Sequence, residues 1–206
     1  MNAKIIKYTV TSSEIPRKKN DEIKLLNLCK EIINYFEKNI NKAEVVKIDI
    51  ASLFAASILS NKMVNGIIES IYEYILGKWN GKQFSGDVSA VIGQSIGFAL
   101  LEALFDIPIT EIIPLRNIKY LGLTTDAIIE IEKYEKLKKF LNVDKGVLFF
   151  NSRATSSFKK NYIIDKLMKS ILNIEIMRYP SHYGLISYSV LTNQDLLILL
   201  TLIKPE

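Results

Sequence analysis

Gly146-Val-Leu-Phe-Phe150 carries no polar side chain at any of its positions. A strand wetted on one face alternates apolar and polar residues, so a short run that does not alternate belongs inside a sheet covered on both faces. That segment therefore demands helices above and below it. Over Asp21 to Asn39, apolar residues fall at Leu25, Cys29, Ile32 and Phe36, with Leu26, Ile33 and Ile40 alongside, which is helical spacing with a polar back. Lys62 to Leu76 repeats the pattern, with Asn61 as an N-cap. Ser156 to Leu172 does so through Ile164, Leu167, Met168 and Ile171.

Between these helices lie short β-rich runs. Lys4 to Val10, Ala43 to Ile50, Lys119 to Leu123, Ile174 to Tyr179, Leu185 to Leu191 and Leu196 to Ile203 read as strands. The last could instead be a helix capped by Asn193, and Ser52 to Ser60 stays open between helix and strand. Thr11 to Asn20 and Gly77 to Gly86 carry loop chemistry. Asp87 can cap the helix that follows it, in which Ser89, Gly93 and Gly97 recur at steps of four. Small residues on one helix face let another backbone come close, here a sheet. Helices and strands interleave along 206 residues, which implies one α/β domain spanning 1–206, a mixed central sheet flanked by helices.

Composition narrows the function classes. The chain carries 27 basic and 22 acidic residues, a net charge of +5 that suits an anionic partner such as a nucleic acid. Isoleucine, lysine and glutamate are abundant, and glutamine and cysteine scarce. That fits a thermophilic, archaeal-type source, although an A/T-rich genome gives the same bias. The single cysteine, Cys29, sits among apolar residues and reads as a buried thiol. The start of the sequence does not read as a signal peptide, and the apolar stretch Val88 to Phe105 is broken by Gln94 and Glu102. The expectation is an intracellular, cytoplasmic protein with no membrane partner.

The chain has no Walker loop, no GxGxxG fingerprint, no nucleophile elbow and no HExxH helix. Its one histidine, His182, lies in the turn-forming YPSHYG. Carboxylates remain as ligands, and hard cations such as Mg²⁺ take oxygen donors, often one or two protein carboxylates completed by substrate phosphate. Such an ion can position an attacking water and stabilise a leaving oxygen, with a nearby Lys or Arg offsetting charge on the phosphate.

The order of a glycine-bearing helix, an aspartate in GLTTDAIIEI, a strand running into Asn151-Ser152-Arg153, and a helix resembles the PD-(D/E)xK, restriction-endonuclease-like superfamily over roughly residues 86–172. The resemblance places Gly93-Gln94 where the family often has Gly-Glu, Asp126 where it has its aspartate, and Asn151-Ser152-Arg153 where it has acidic-x-Lys. It implies a candidate catalytic set of Asp126, Gln94, Glu102, Asn151 and Arg153. Asp126 and Glu102 would hold Mg²⁺ if the site is active. Arg153, Lys159, Lys160, Lys166 and Lys169 would meet nucleic acid. Glu102 or Glu130 could replace the carboxylate that glutamine and asparagine no longer supply. A nuclease and an inactive descendant both fit.

A second account uses Asp126 or Thr125 as the cap of a helix running to Leu141, giving a doubly wound, Rossmann-like sheet. Even then NSRATSS would join a strand end to a helix N-terminus, a place where anions bind. A third reads the chain as a non-catalytic assembly subunit whose apolar LLILLTLIKPE segment completes a sheet or meets a partner, with a homodimer as the expected assembly.

Overall fold

The computed structural model describes residues 1–16, 21–59, 73–74, 78, 86–115, 125–177, 182–192 and 195–206. Six strands form one mixed sheet: β1 (Asn2–Thr11), β2 (Glu44–Lys47), β3 (Ala127–Glu130), β4 (Val147–Thr155), β5 (Tyr183–Leu191) and β6 (Leu196–Lys204). Their spatial order is β2-β1-β6-β5-β4-β3. β1 runs parallel to β6 and β4 to β5, while the β1–β2, β5–β6 and β3–β4 pairs are antiparallel. A doubly wound sheet would be parallel through its centre, and this one reverses between β5 and β6.

Among the described residues, five helices cover the sheet: α1 (Glu22–Asn39), α2 (Ile50–Leu59), α3 (Gly86–Phe105), α4 (Glu135–Leu141) and α5 (Lys160–Met177). Strand alternation divides the core in two. Leu148 and Phe150 of β4 face one cluster with Ile92, Ile96 and Leu100 of α3 and Leu137 and Leu141 of α4. Phe149 faces the other, with Cys29, Ile32 and Phe36 of α1 and Ile163, Leu167 and Ile171 of α5. Each such fully buried side chain is worth roughly 1.5–3 kcal/mol. The unalternating run at Val147 to Phe150 is thus explained: both faces are roofed by helix. Burial also pushes the Cys29 thiol up to about 12, which leaves it inert at neutral pH.

β6 lies between β1 and β5, and every residue from Leu196 to Ile203 is buried. The apolar LLILLTLI run is spent completing this sheet. Helix α3 is buried at every position from Val91 to Leu101, because it lies between the sheet and α2. Its apolar length, enough for a bilayer by composition, is taken up inside the fold, with 67% of the Val88–Phe105 window buried.

Several local expectations change. β4 continues through Asn151, Ser152 and Arg153 to Thr155, so NSRATSS is not a connecting loop; its first five residues are strand. The strand expected from Ile174 is helix as far as it is described, since α5 runs on to Met177 and keeps Ile174 in the apolar stripe begun by Ile163 and Leu167. The open segment from Ser52 resolves as helix α2, described to Leu59, and Asp87 sits inside the first turn of α3. The disputed segment after Asp126 divides: Ala127–Glu130 is strand and Glu135–Leu141 helix. The expected Lys62 to Leu76 helix, the Gly77 to Gly86 loop, the Lys119 to Leu123 strand and the Asn193 cap lie wholly or almost wholly outside the described residues.

The two helix glycines have a steric reason. A Cβ on Gly93 would lie 2.7 Å from the backbone nitrogen of Ala154, and one on Gly97 would lie 2.8 Å from the Ser152 Cβ. Backbone cannot yield as a flexible side chain can. Gly93→Ala should therefore destabilise the protein by roughly 1–3 kcal/mol in urea unfolding, although alanine is intrinsically the better helix former. Unchanged or raised stability would refute this contact.

Candidate functional site

Asp126 stands immediately before β3, on the strand antiparallel to β4. Regular pairing between the two strands ends at Ala127 and Phe150. The backbone of Phe150 faces β3, so that of Ser152 faces the same way, two residues beyond the last rung. Side chains replace the missing rung. The Ser152 N–H donates to Asp126 Oδ2 at 2.6 Å, and the Ser152 hydroxyl donates to the same oxygen at 2.7 Å. The Ser152 carbonyl accepts from Arg153 Nη1 at 2.8 Å. Arg153 Nη1 lies 3.8 Å from Asp126 Oδ2, which closes the group. Asp126 is 5% exposed, whereas the Arg153 side chain keeps 26% of its surface open.

Two buried amides flank this group. Asn151 shares the α1/α5 face of β4 with Arg153, by alternation. Gln94 follows Gly93 on α3, whose backbone meets Arg153 and Ala154. Gln94 therefore lies level with Arg153, but on a helix covering the opposite face. Both side chains are fully buried, and none of their polar atoms has a hydrogen-bond partner among the described residues. A buried polar group left unpaired costs about 1–3 kcal/mol. Tyr188 is the cross-strand neighbour of Arg153, so the two share a face. Burial pushes its hydroxyl well above the usual range, reinforced by Tyr162 and partly offset by the Arg153 guanidinium.

Asp126, Asn151 and Arg153 are thus neighbours, but Glu102 does not join them. From Gly93 to Gly97 the helix moves from Ala154 towards Phe150, so α3 runs antiparallel to β4. Glu102 lies eight residues beyond Gln94 in that direction, a rise of about 12 Å. There its carboxylate accepts from the Ile109 N–H at 3.4 Å, and its carbonyl from Asp106 N–H at 3.0 Å. It holds the turn that leaves the helix. Glu130 sits at the far end of β3, exposed and paired with Lys133 at 2.8 Å. On the α5 side, Lys159 is exposed, Lys160 reaches Glu37 at 2.6 Å, Lys166 stands over the Tyr162 ring and Lys169 pairs with Asp165.

A Mg²⁺ ion does not fit this donor set. Asp126 is the one carboxylate in it, a single oxygen already takes two hydrogen bonds, and a guanidinium approaches that oxygen. Among the described residues no three His, Cys, Asp or Glu side chains gather to hold a metal. The Asn151 amide brings an oxygen without charge, and Gln94 lies across the sheet.

Ser152 was not singled out by residue type, though its place between Asn151 and Arg153 would have pointed to it once Asp126 was seen to end a strand. Tyr188 left no such signal. Compared with known protein families, curated proteins and solved structures, the chain matches none.

Asp126→Ala would strand two buried donors and should cost about 2–5 kcal/mol in denaturant unfolding; Asp126→Asn keeps one acceptor and should cost less. Equal losses would argue against the Ser152 pairing. Gln94→Met removes a buried, unpartnered amide at constant volume and should raise stability by about 1 kcal/mol or more. A loss instead would reveal a partner that the amide needs.

Proposed function

We propose that the chain binds the phosphodiester backbone of a nucleic acid on a restriction-endonuclease-like scaffold, and that it holds the strand without cutting it. The observation that carries this reading is the meeting of Asp126 and Arg153 across two adjacent antiparallel strands, with Asn151 beside them. Element order supports it too. Helix α3, the aspartate before β3, β4 with Asn151-Ser152-Arg153, and helix α5 follow in the order that the resemblance implies.

The chemistry favours binding over cleavage. Hydrolysis on this scaffold would need clustered anions to hold a cation, and two of the matching positions are amides. The aspartate's role is mechanical: it holds the Ser152 amide beyond the last β3–β4 pair and lies against Arg153. The Arg153 side chain keeps 26% of its surface open to solvent, near the helix that follows Lys159 and carries Lys160, Lys166 and Lys169. Exposed ion pairs such as Lys160–Glu37 and Lys169–Asp165 are worth little, so their lysines can exchange a carboxylate for a phosphate.

Fluorescence anisotropy with labelled oligonucleotides between 50 and 200 mM salt tests this. Log affinity should fall linearly with log salt, and Lys159→Gln with Lys166→Gln should reduce the slope on duplex by about 1.8. No affinity even at low salt would overturn the proposal. Mg²⁺-dependent cleavage that disappears in Asp126→Asn would replace it with an active nuclease.

A further inference from the structure

Away from that group, a groove of 410 Å³ opens between β1 and α1. Tyr8 and Tyr35 form its aromatic wall, with ring centroids 5.1 Å apart and planes at 70°. Tyr8 is anchored, since its hydroxyl donates to Glu31 Oε1 at 2.9 Å. Tyr35 is not sequestered by this packing and stays 41% exposed. Lys30 and Lys38 line the same groove, both exposed. Asn27 and Asn34, also exposed, stand on the same helix face, seven residues apart.

We propose that this groove is a binding site for single-stranded nucleic acid, with a base stacked on Tyr35 and phosphates on Lys30 and Lys38. The proposal rests on the nucleic-acid reading above and names the form of nucleic acid and a second contact surface. Flat aromatic faces bordered by lysines are how proteins hold single strands without regard to sequence, because every base offers a π-face. A duplex keeps its bases stacked inside, away from a tyrosine on a helix. Lys30 and Lys38 are about 12 Å apart along α1. Two lysines at that spacing can meet two phosphates of one strand. Asn27 and Asn34 add amide donors and acceptors for base edges. Glu31 is the one anion of the lining, and its carboxylate takes up the Tyr8 hydroxyl. An acidic peptide is the lesser fit: lysines neutralise charge as points and lack the planar fork that fixes a carboxylate, and a peptide makes no use of the exposed ring.

The test uses the full chain and a fluorescein-labelled thymidine octamer, with the matching duplex and a poly-glutamate peptide as comparisons. Tyr35→Ala should weaken octamer binding by at least about five-fold, and Tyr35→Phe, which keeps the ring, should bind as the parent chain does. Lys30→Gln with Lys38→Gln should lower the salt slope on the octamer by about 1.4. Thermal melts of these surface variants should match the parent. Octamer binding unchanged in all of them would overturn the groove while leaving the nucleic-acid reading intact. Absence of any oligonucleotide binding by the parent chain would overturn both. Poly-glutamate bound as tightly as the octamer, and lost in the same variants, would assign the groove to acidic peptides and end the proposal.

Discussion

Everything near the candidate site depends on how closely α3 lies on β4. Gly93 and Gly97 let the helix settle until its backbone meets Arg153 and Ala154 and its next turn meets Ser152 and the Phe150 ring. Ser152 is small because the helix is close. Being small and polar, it offers a hydroxyl as well as an amide to Asp126. A bulkier residue there would lift the helix, and an apolar one would leave half of the carboxylate's hydrogen bonding unmade. The helix contact and the Asp126–Arg153 group are therefore two sides of one packing decision.

Much of the architecture was legible because it is periodic. The spacing of Leu25, Cys29, Ile32 and Phe36 specifies α1 nearly to the residue, and the unbroken apolar run at Val147 to Phe150 specifies a roofed central strand. Where the reading failed, tertiary context overrode local chemistry. Asn-Ser-Arg-Ala-Thr reads as a loop because its residues favour turns, yet inside the sheet β4 continues, with Asp126 and Arg153 tying the backbone groups that the neighbouring strand does not reach. Ile174 and Ile176 look like strand residues, but the stripe established two turns earlier keeps Ile174 helical and buried while Ile176 faces outward. At the site, the pairing of Asp126 with Arg153 follows from the order of the elements. The exclusion of Glu102 does not, because it requires knowing that α3 runs antiparallel to β4.

Gln94 and Asn151 are buried positions that are neutral without being apolar. An amide keeps the size of a carboxylate and so preserves packing, but it cannot attract a cation, and it carries donors and acceptors that the core must still accommodate. Asp126 differs because its charge is matched three ways, by an amide, a hydroxyl and a guanidinium. Charge survives in this part of the fold where it is matched, and amides stand where it is not.

β6 is the hinge on which assembly turns. It separates β2 and β1 from β5, β4 and β3, and its partner β1 is nearly two hundred residues earlier: Ala3 sits opposite Leu196 and Thr11 opposite Lys204. During synthesis, β1 must remain unmated on that side until the whole intervening chain has emerged. Its open edge is then a template for any other extended segment, so this fold should rely on prompt chaperone shelter more heavily than a sheet built from neighbouring hairpins.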